Sequence, residues 1–214
     1  MSESYQRVFR KSIVPKIGFA LADRYGREKG NVLYARCGER LLALISEADD
    51  RGNAAIHRHL VKNILPVAGC YQVLQENGVP KTEACDLVIG QMHGFVRGKT
   101  GILCCLSHVP RLYPLFRRIC RNAMKKDYPD VGWDVRWIRD DPEGIAFDCR
   151  ACVYWDTTSR LGCPELCKYF CRNDDILYCV LSPGIRFVRT QTLGTGGNRC
   201  DFCFLNEKER RHKR

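Results

Sequence analysis

The chain has 214 residues, with 35 Lys and Arg against 24 Asp and Glu, and carries a formal net charge of +11. Its 45% content of hydrophobic residues is typical of a globular protein, which excludes a disordered or fibrous chain and allows one medium domain or two small ones. Apolar runs such as residues 41–45 and 102–106 are far shorter than the roughly 20 residues of a bilayer span, which excludes a membrane-spanning helix.

Two features favour a cytoplasmic protein. The start MSESYQRVFRKS contains charged residues but no apolar stretch and no small-residue cleavage site, so we expect no secretory signal. The chain contains 14 cysteines, yet it is too long and too apolar to need disulfides for its stability. In a reducing compartment, so many cysteines indicate a metal site or thiol chemistry.

The first part of the chain, residues 1–128, has helical periodicity. Apolar residues recur at three- and four-residue steps and predict about five amphipathic helices. Pro80 predicts the first turn of a helix that reaches about Val96, and another helix is expected over residues 111–126. Helix stops or turns are predicted at Gly30, residues 49–52 and residues 77–78.

After Pro129 the hydrophobic period changes to two, which predicts antiparallel strands. A first hairpin pairs residues 133–138 with 145–153 around a turn at 140–144. The elements expected after it are a helix from Pro164 that is interrupted at residues 173–175 and reaches about Leu181, a strand over 185–193, a turn at 195–198 and a strand over 200–205.

This order predicts an α+β fold, in which N-terminal helices pack on a C-terminal four-stranded antiparallel sheet with the connectivity hairpin, helix, hairpin. Residues 129–206 form the cysteine-rich β part and are expected to make one domain with residues 1–128. Residues 207–214 are expected to form a solvated basic tail.

The cysteines divide into two groups. Six are scattered through the first 120 residues and fit buried side chains with inert thiols: Cys37, Cys70, Cys85, Cys104, Cys105 and Cys120. Eight crowd the last third of the chain: Cys149, Cys152, Cys163, Cys167, Cys171, Cys179, Cys200 and Cys203. The second group predicts the functional site.

Spacing indicates how the second group is arranged. The two C-x2-C pairs lie on predicted strands, where residues three apart point to opposite faces, and this argues against a zinc ribbon. The cysteines at 163, 167 and 171 step by four and share one helix face, which Asp174 or Asp175 continues. One cysteine from each hairpin is expected to meet that face. Three or four thiolates around one point predict a zinc site, with an iron–sulfur cluster as the alternative.

Several motifs between residues 147 and 204 carry a resemblance to a known family. They are Cys152, the segment LGCPELC, the pair Cys171 and Asp174, the segment PGIRF and the terminal CDFCF. Together they resemble the C-terminal signature of the L-2-amino-thiazoline-4-carboxylic acid hydrolase family. The segment around His57 and His59 is similar to the helical part of that family. The resemblance implies hydrolytic opening of a C–N bond in a small cyclic amidine-type ring.

A second, more distant resemblance is to the 4-vinyl-reductase-like small-molecule-binding domain, through the glycine turn that precedes Cys200. It implies helices packed on an antiparallel sheet around a buried pocket, and zinc held by cysteines and a glutamate in some members. This chain has Thr192 where that pattern has a cysteine eight residues before Cys200, so the ligand set does not transfer.

We therefore expect a metal held by Cys152, Cys171 and Cys200, joined by Cys167, with Asp174 or Glu165 as a further ligand. A metal with an open position activates water, and Glu165 and Asp174 are the candidates to move protons. Both carboxylates also have an ordinary structural interpretation, because Glu165 suits a helix N-terminus and Asp174 suits a helix cap.

The anionic substrate that the resemblance implies requires a cation. Arg186 and Arg189 are the candidates on the strand that leads into the last hairpin, and Arg150 is a third. His57 and His59 lie two residues apart on a helix, so at most one of them reaches a site, and His59 is the candidate.

Other functions fit the same residues. A non-catalytic small-molecule sensor with a structural metal is one alternative, and an iron–sulfur redox protein is another. The sequence pI of about 9.1 fits a nucleic-acid binder, but no zinc-finger, helix-turn-helix or RNA-binding signature occurs. We expect a small-molecule substrate as the partner, without nucleic acid or membrane; the oligomeric state, including a homo-oligomer, stays open.

Overall fold

The computed structural model of the chain describes residues 9–10, 12–107, 109 and 111–207, apart from the side chain of residue 106. It is mostly helical, with a four-stranded antiparallel sheet in the C-terminal part, which confirms the predicted α+β fold. The chain divides into two compact units, residues 1–95 and 96–214. No described helix is long and apolar enough to cross a membrane. The predicted basic tail lies outside the described residues, apart from Glu207.

The first unit is helical over its described part. Its elements are α1 (Val14–Tyr25), α2 (Arg27–Ser46), α3 (Ala54–His59), a π-helical turn (Leu60–Ile64), α4 (Leu65–Glu76) and the start of α5 (Lys81–Arg97). Helix α4 is apolar around most of its circumference and is buried from Leu65 to Tyr71, as expected for the central helix of a core. The Asn53 side chain accepts the backbone N–H of Ala55 at 2.9 Å and begins α3.

The predicted helix stop at Gly30 is wrong, because α2 runs through this position. A Cβ at Gly30 would lie 2.6 Å from the Cα of Ala22 in α1. Glycine is therefore needed here for the close approach of two helices and does not end one. The predicted turns at residues 49–52 and 77–78 are confirmed.

The second unit carries the sheet. Its helices are α6 (Thr100–Ser107), α7 (Leu112–Asp127), α8 (Val153–Arg160) and α9 (Cys167–Tyr178). Short 3-10 turns lie at Pro164–Leu166, Cys179–Leu181 and Leu193–Thr195. The strands are β1 (Trp133–Asp141), β2 (Gly144–Cys152), β3 (Ile185–Val188) and β4 (Cys200–Asn206), all antiparallel and in the order β1-β2-β4-β3.

One face of this sheet forms a core with α7. Ile145, Phe147 and Phe204 are buried on the sheet, and Leu112 and Tyr113 are buried on the helix. The register of β2 and β4 places Cys149 opposite Cys200 and Phe147 opposite Phe202, so the two cysteines extend the same face toward one end of the sheet. This alignment determines where the candidate site forms.

Three predicted elements differ from the structure. The strand predicted over 185–193 ends at Val188, because the Asp201 side chain accepts the N–H groups of Thr190 and Gln191 at 2.9 and 2.8 Å and removes them from the strand ladder. The predicted interruption at 173–175 is wrong, since α9 continues to Tyr178. Helix α8 occupies a stretch for which no helix is predicted.

The prediction that the six scattered cysteines are buried is confirmed in part. Cys37, Cys70 and Cys85 are buried in the first unit, as expected for small apolar side chains. Cys104 and Cys105 are exposed, so their predicted burial is wrong. Both lie on α6, a short apolar helix that does not bury its whole circumference.

Candidate functional site

The candidate site begins at the N-terminal half of α9. Cys167 and Cys171 are four residues apart and lie on one face of this helix. Cys167 is buried and Cys171 is half-buried, and the two thiols are electrostatically coupled. Cys163, predicted to share this face, precedes the helix and occupies the N-cap position of the 3-10 turn before it.

Strand β4 brings the third thiol. Cys200 is the first residue of β4 and is buried, and its thiol is electrostatically coupled to that of Cys171. The backbone N–H of Leu193 donates to the Cys200 sulfur, at 3.3 Å. Cys167, Cys171 and Cys200 therefore converge, and we call these three residues the thiol cluster.

The loop between β3 and β4 closes over the thiol cluster. Thr192 is buried, its hydroxyl lies 3.0 Å from that of Thr195, and it helps to lower the pKa of the Cys171 thiol. Two residues later, a Cβ at Gly194 would lie 2.7 Å from the backbone nitrogen of Lys168 and 2.9 Å from the carbonyl carbon of Cys167. Only glycine permits the loop to approach the first turn of α9 this closely, and this approach places Thr192 and the Leu193 N–H at the thiols.

We expect Gly194→Ala to destabilise the protein by about 1–3 kcal/mol, because the added methyl group meets helix backbone that cannot give way. Chemical denaturation measures the change. Gly101→Ala on α6 is the matched control, since a Cβ there meets nothing within 4 Å. A loss of stability no larger than that of the control would show that the loop does not need this contact.

A buried ion pair lies beside the cluster. The Arg189 side chain is 4% exposed and donates to Asp174 Oδ2 at 2.9 Å, to Asp175 Oδ1 at 2.8 Å and to the carbonyl of Cys171 at 2.8 Å. Its guanidinium also stacks on the rings of Phe187 and Phe202, 5.5 and 5.2 Å from their centroids. Arg189 thus joins α9 to the end of β3.

These contacts give the groups of the site different protonation preferences. Hydrogen bonds from Cys167 and Cys200, the Thr192 hydroxyl and the charge of Arg189 hold the pKa of the Cys171 thiol well below its ordinary range. The pKa values of Cys167 and Cys200 are raised by the same hydrogen bonds and by burial, so both remain protonated donors. These shifts favour Cys171 as the thiolate of the cluster.

Asp174 has the opposite shift. Desolvation by its surroundings raises its pKa to about 7 against the attraction of Arg189, although 30% of the side chain stays exposed. A carboxyl group with a pKa near neutrality is able both to donate and to accept a proton at physiological pH. It lies one helical turn after Cys171, on the same face of α9.

Two further cysteines border the cluster from β2. Cys149 is buried opposite Cys200, and burial raises its pKa. Cys152 ends β2 and precedes α8, and burial raises its pKa to about 12. The N–H groups of Tyr154 and Trp155 and the Trp133 indole face the Cys152 sulfur and favour its thiolate, although the sulfur forms no full capping hydrogen bond.

The other predicted site residues lie in different settings. Glu165 is half-buried in the 3-10 turn before α9. Arg186 is 51% exposed and pairs with Glu207 at 2.9 Å, and Arg150 is 46% exposed, 4.0 Å from Asp148. His59 is half-buried at the end of α3 in the first unit. Cys203 points to the face of β4 opposite to that of Cys200.

The predicted metal ligands Cys152, Cys167, Cys171 and Cys200 all belong to this end of the second unit. Soft thiolates are donors that zinc and iron prefer. Across the described part of the chain, however, no three His, Cys, Asp or Glu side chains are arranged so that they hold a metal ion. The described arrangement is a hydrogen-bonded thiol cluster beside an ion pair.

Sequence reasoning missed two contributors to this site. Thr192 was recognised only as a departure from a cysteine pattern, and its hydroxyl in fact contacts Cys171. The loop of residues 189–199 was expected to be a strand and a hairpin turn. The run Gly194-Thr195-Gly196-Gly197 is the signal in the sequence, because closely spaced glycines indicate near approach of the backbone to another segment.

Comparison with known proteins gives one match. The family model described as L-2-amino-thiazoline-4-carboxylic acid hydrolase matches residues 105–204, just under half of the chain and all of the thiol cluster. No curated protein and no solved structure matches the chain significantly. The match does not extend to the segment around His59, where the resemblance stays a prediction. For residues 105–204, the resemblance to the L-2-amino-thiazoline-4-carboxylic acid hydrolase family is confirmed.

Proposed function

We propose that the protein is a hydrolase that opens a C–N bond of a small cyclic amidine-type substrate, with Cys171 as the nucleophile. The arrangement that carries the proposal is the half-buried Cys171 on α9, beside the buried thiols of Cys167 and Cys200, the buried Thr192 and the buried guanidinium of Arg189, which together lower the pKa of Cys171. The family match supports the reaction class, since the thiazoline named in its description contains a cyclic amidine.

The first step is addition of the Cys171 thiolate to the amidine carbon. A C–S bond forms, and the electron pair of the ring C=N bond moves onto the ring nitrogen, which takes a proton from Asp174. The tetrahedral intermediate then expels the ring nitrogen with its electron pair, and solvent supplies the second proton of the amine. The C–N bond is broken, and the carbon stays attached to Cys171.

The second step returns the enzyme to its initial form. The ionised Asp174 accepts a proton from water and the water oxygen adds to the same carbon. Cys171 then leaves as a thiolate while the new hydroxyl becomes a carbonyl and releases its proton to solvent, which restores the proton that solvent gave to the amine. The net reaction consumes one water molecule for each C–N bond broken. The donors that stabilise the Cys171 thiolate before attack also stabilise it as the leaving group.

Arg189 acts in this scheme as a positioning residue. Its guanidinium is almost entirely buried and is engaged by Asp174, Asp175 and the Cys171 carbonyl, so it offers little surface to a ligand. It holds the nucleophile and the proton carrier on α9 in a fixed relation, and its charge favours the thiolate.

A zinc site is a second candidate, favoured by the gathering of four thiols at the same end of the sheet. Cys152, Cys167, Cys171 and Cys200 would hold the ion, which supplies a Lewis acid for the same hydrolysis. Since these side chains do not meet in a metal-holding arrangement, zinc binding requires them to rotate. The iron–sulfur alternative requires the same movement and stays a prediction.

The pH dependence of catalysis follows from the role of Asp174. Its pKa is raised to about 7, and the first step needs its protonated form, so we expect kcat/KM to fall as pH rises through about 7. Asp174→Asn should lower the rate and remove this descending limb. A limb that persists unchanged in Asp174→Asn would assign it to another group.

The direct test is incubation with 2-amino-thiazoline-4-carboxylic acid, followed by chromatography and mass spectrometry. We expect a product that is heavier by one water, with a new primary amine and no new thiol, because the C–N bond breaks and the ring C–S bond stays. Turnover that appears only in zinc-loaded protein would favour the zinc candidate. Binding without turnover, in both metal-free and zinc-loaded protein, would favour the sensor alternative.

A further inference from the structure

A wide groove lies in the second unit between α7 and the edge strand β1, and the proposed hydrolysis does not use it. Its volume is about 930 Å³, which is at the upper end of the range of small-molecule sites and larger than a single small heterocycle needs. One wall is formed by α7, the other by Val135 and Trp137 of β1, and the segment from Tyr128 to Asp130 closes one end.

The helix wall is cationic. Arg117, Arg118, Arg121 and Lys125 line it, and the carboxylates that line the groove are Asp130 and Asp140. Asp140 pairs with Arg117 and, at 3.1 Å, with Arg121, and its carbonyl accepts a further hydrogen bond from Arg117 at 2.6 Å. These contacts hold the guanidinium groups of Arg117 and Arg121 in place at the groove. The side chains that line the groove thus include four cations and two carboxylates.

Arg118 and Lys125 supply the excess charge. Both are exposed on α7, and among the described residues no carboxylate lies within ion-pair distance of either. Ile119 on the same helix is 55% exposed. The residues that pack on the sheet are Leu112, Phe116, Cys120 and Met124, so the cationic wall stands beside the sheet edge.

The strand wall is aromatic. Trp137 is 43% exposed although it lies in the middle of β1, and its ring contacts that of Phe147 at a tilt, with the centroids 5.2 Å apart. A partly exposed indole that is held by a neighbouring ring offers a surface on which a planar ring stacks. Within the groove, a cationic wall that suits anions therefore lies opposite an aromatic wall that suits planar rings.

We propose that this groove binds a small aromatic polyanion, of the chemical class of nucleoside diphosphates and triphosphates. The ring stacks on Trp137, and the phosphate groups bind Arg118 and Lys125, with the guanidinium groups held by Asp140 beside them. The cationic positions from Arg117 to Lys125 span about 12 Å of helix, which suits the phosphates of one nucleotide better than a nucleic-acid strand.

Isothermal titration calorimetry of the full chain tests the proposal with three probes: ATP, inorganic triphosphate and adenosine. We expect ATP to bind most tightly, triphosphate more weakly and adenosine most weakly. Affinity for ATP should fall as salt is raised, because the exposed cations are screened. Since binding is measured without turnover, the result is independent of the proposed hydrolysis.

Substitutions in each wall of the groove test which part of ATP that wall binds. Arg118→Ala combined with Lys125→Ala should weaken ATP binding by about tenfold or more, and Trp137→Leu should weaken ATP while leaving triphosphate unchanged. The control combines Arg27→Ala with Lys62→Ala, two exposed cations of the first unit that remove the same charge, and should bind ATP like the wild type. Circular dichroism verifies that each variant is folded.

Three outcomes would overturn the proposal. One is the absence of ATP binding to the folded wild-type protein at millimolar concentration. Another is equal weakening by the groove variant and by the control, which would indicate an effect of net charge alone. The third is an oligonucleotide that binds more tightly than ATP and displaces it, which would assign the groove to nucleic acid.

Discussion

Replacing Cys171 with serine is expected to reduce hydrolysis of the cyclic amidine by at least about 10³-fold, with little change in stability. Serine keeps the size and the hydrogen-bonding capacity of the residue. Its hydroxyl stays protonated near neutral pH, however, so three donors no longer face a nucleophilic anion. The measurement is kcat/KM for the variant and the wild type, with circular dichroism as evidence of folding.

Cys203→Ser is the matched control for this substitution. Cys203 is three residues after Cys200 on the same strand, is half-buried, and points to the other face of the sheet. Its replacement should leave kcat/KM within about twofold of the wild type, as is usual for substitutions away from a site. If both variants lose activity equally, Cys171 has no special role and the proposed nucleophile is wrong.

Arg189→Ala is expected to cause the largest loss of stability among single substitutions at the site, about 2–3 kcal/mol at neutral pH. It leaves Asp174 and Asp175 without their cation and removes a guanidinium from the rings of Phe187 and Phe202. This expected loss of stability is at the low end of what breaking a buried ion pair costs. The reason is that the two carboxylates are 30% and 42% exposed, so water screens them in part. Urea denaturation measures the loss.

Arg186→Ala, in the neighbouring strand β3, provides the comparison. Arg186 is three residues earlier, is 51% exposed, and pairs with Glu207 at the surface, so its removal should cost less than about 1 kcal/mol. The stability deficit of Arg189→Ala should shrink as pH falls through about 7, because protonation neutralises Asp174, one of the two carboxylates that lost their partner. Equal losses for the two variants, or a pH-independent deficit, would mean that Arg189 contributes by packing alone.

Much of the fold was predictable because it depends on local patterns. The change from helical to alternating periodicity after Pro129 gave the four strands, and the turns at residues 49–52 and 77–78 have their usual residues. The errors arose where tertiary contacts override such patterns. Gly30 looks like a helix stop but allows α1 and α2 to approach, and the Asp201 side chain ends β3 early.

The site was predictable where it depends on spacing. Four-residue steps placed Cys167 and Cys171 on one helix face, and one cysteine of the last hairpin was expected to meet them, which Cys200 does. The contribution of Thr192 was not predictable, because it depends on a loop that folds back onto α9 at Gly194. Burial of Arg189 was equally hidden, since a strand arginine is exposed more often than it is enclosed by two carboxylates and two rings.

The central claim is that Cys171 is the reactive thiolate of the cluster, and alkylation with peptide mapping tests it most directly. Metal-free protein is treated with limiting iodoacetamide, and modification of each cysteine is followed by mass spectrometry. We expect Cys171 to react first, at a rate that changes little between about pH 6 and about pH 9, because it is already ionised. A Cys171 that reacts no faster than the exposed Cys104, Cys105 and Cys179, and only as pH rises, would contradict the claim.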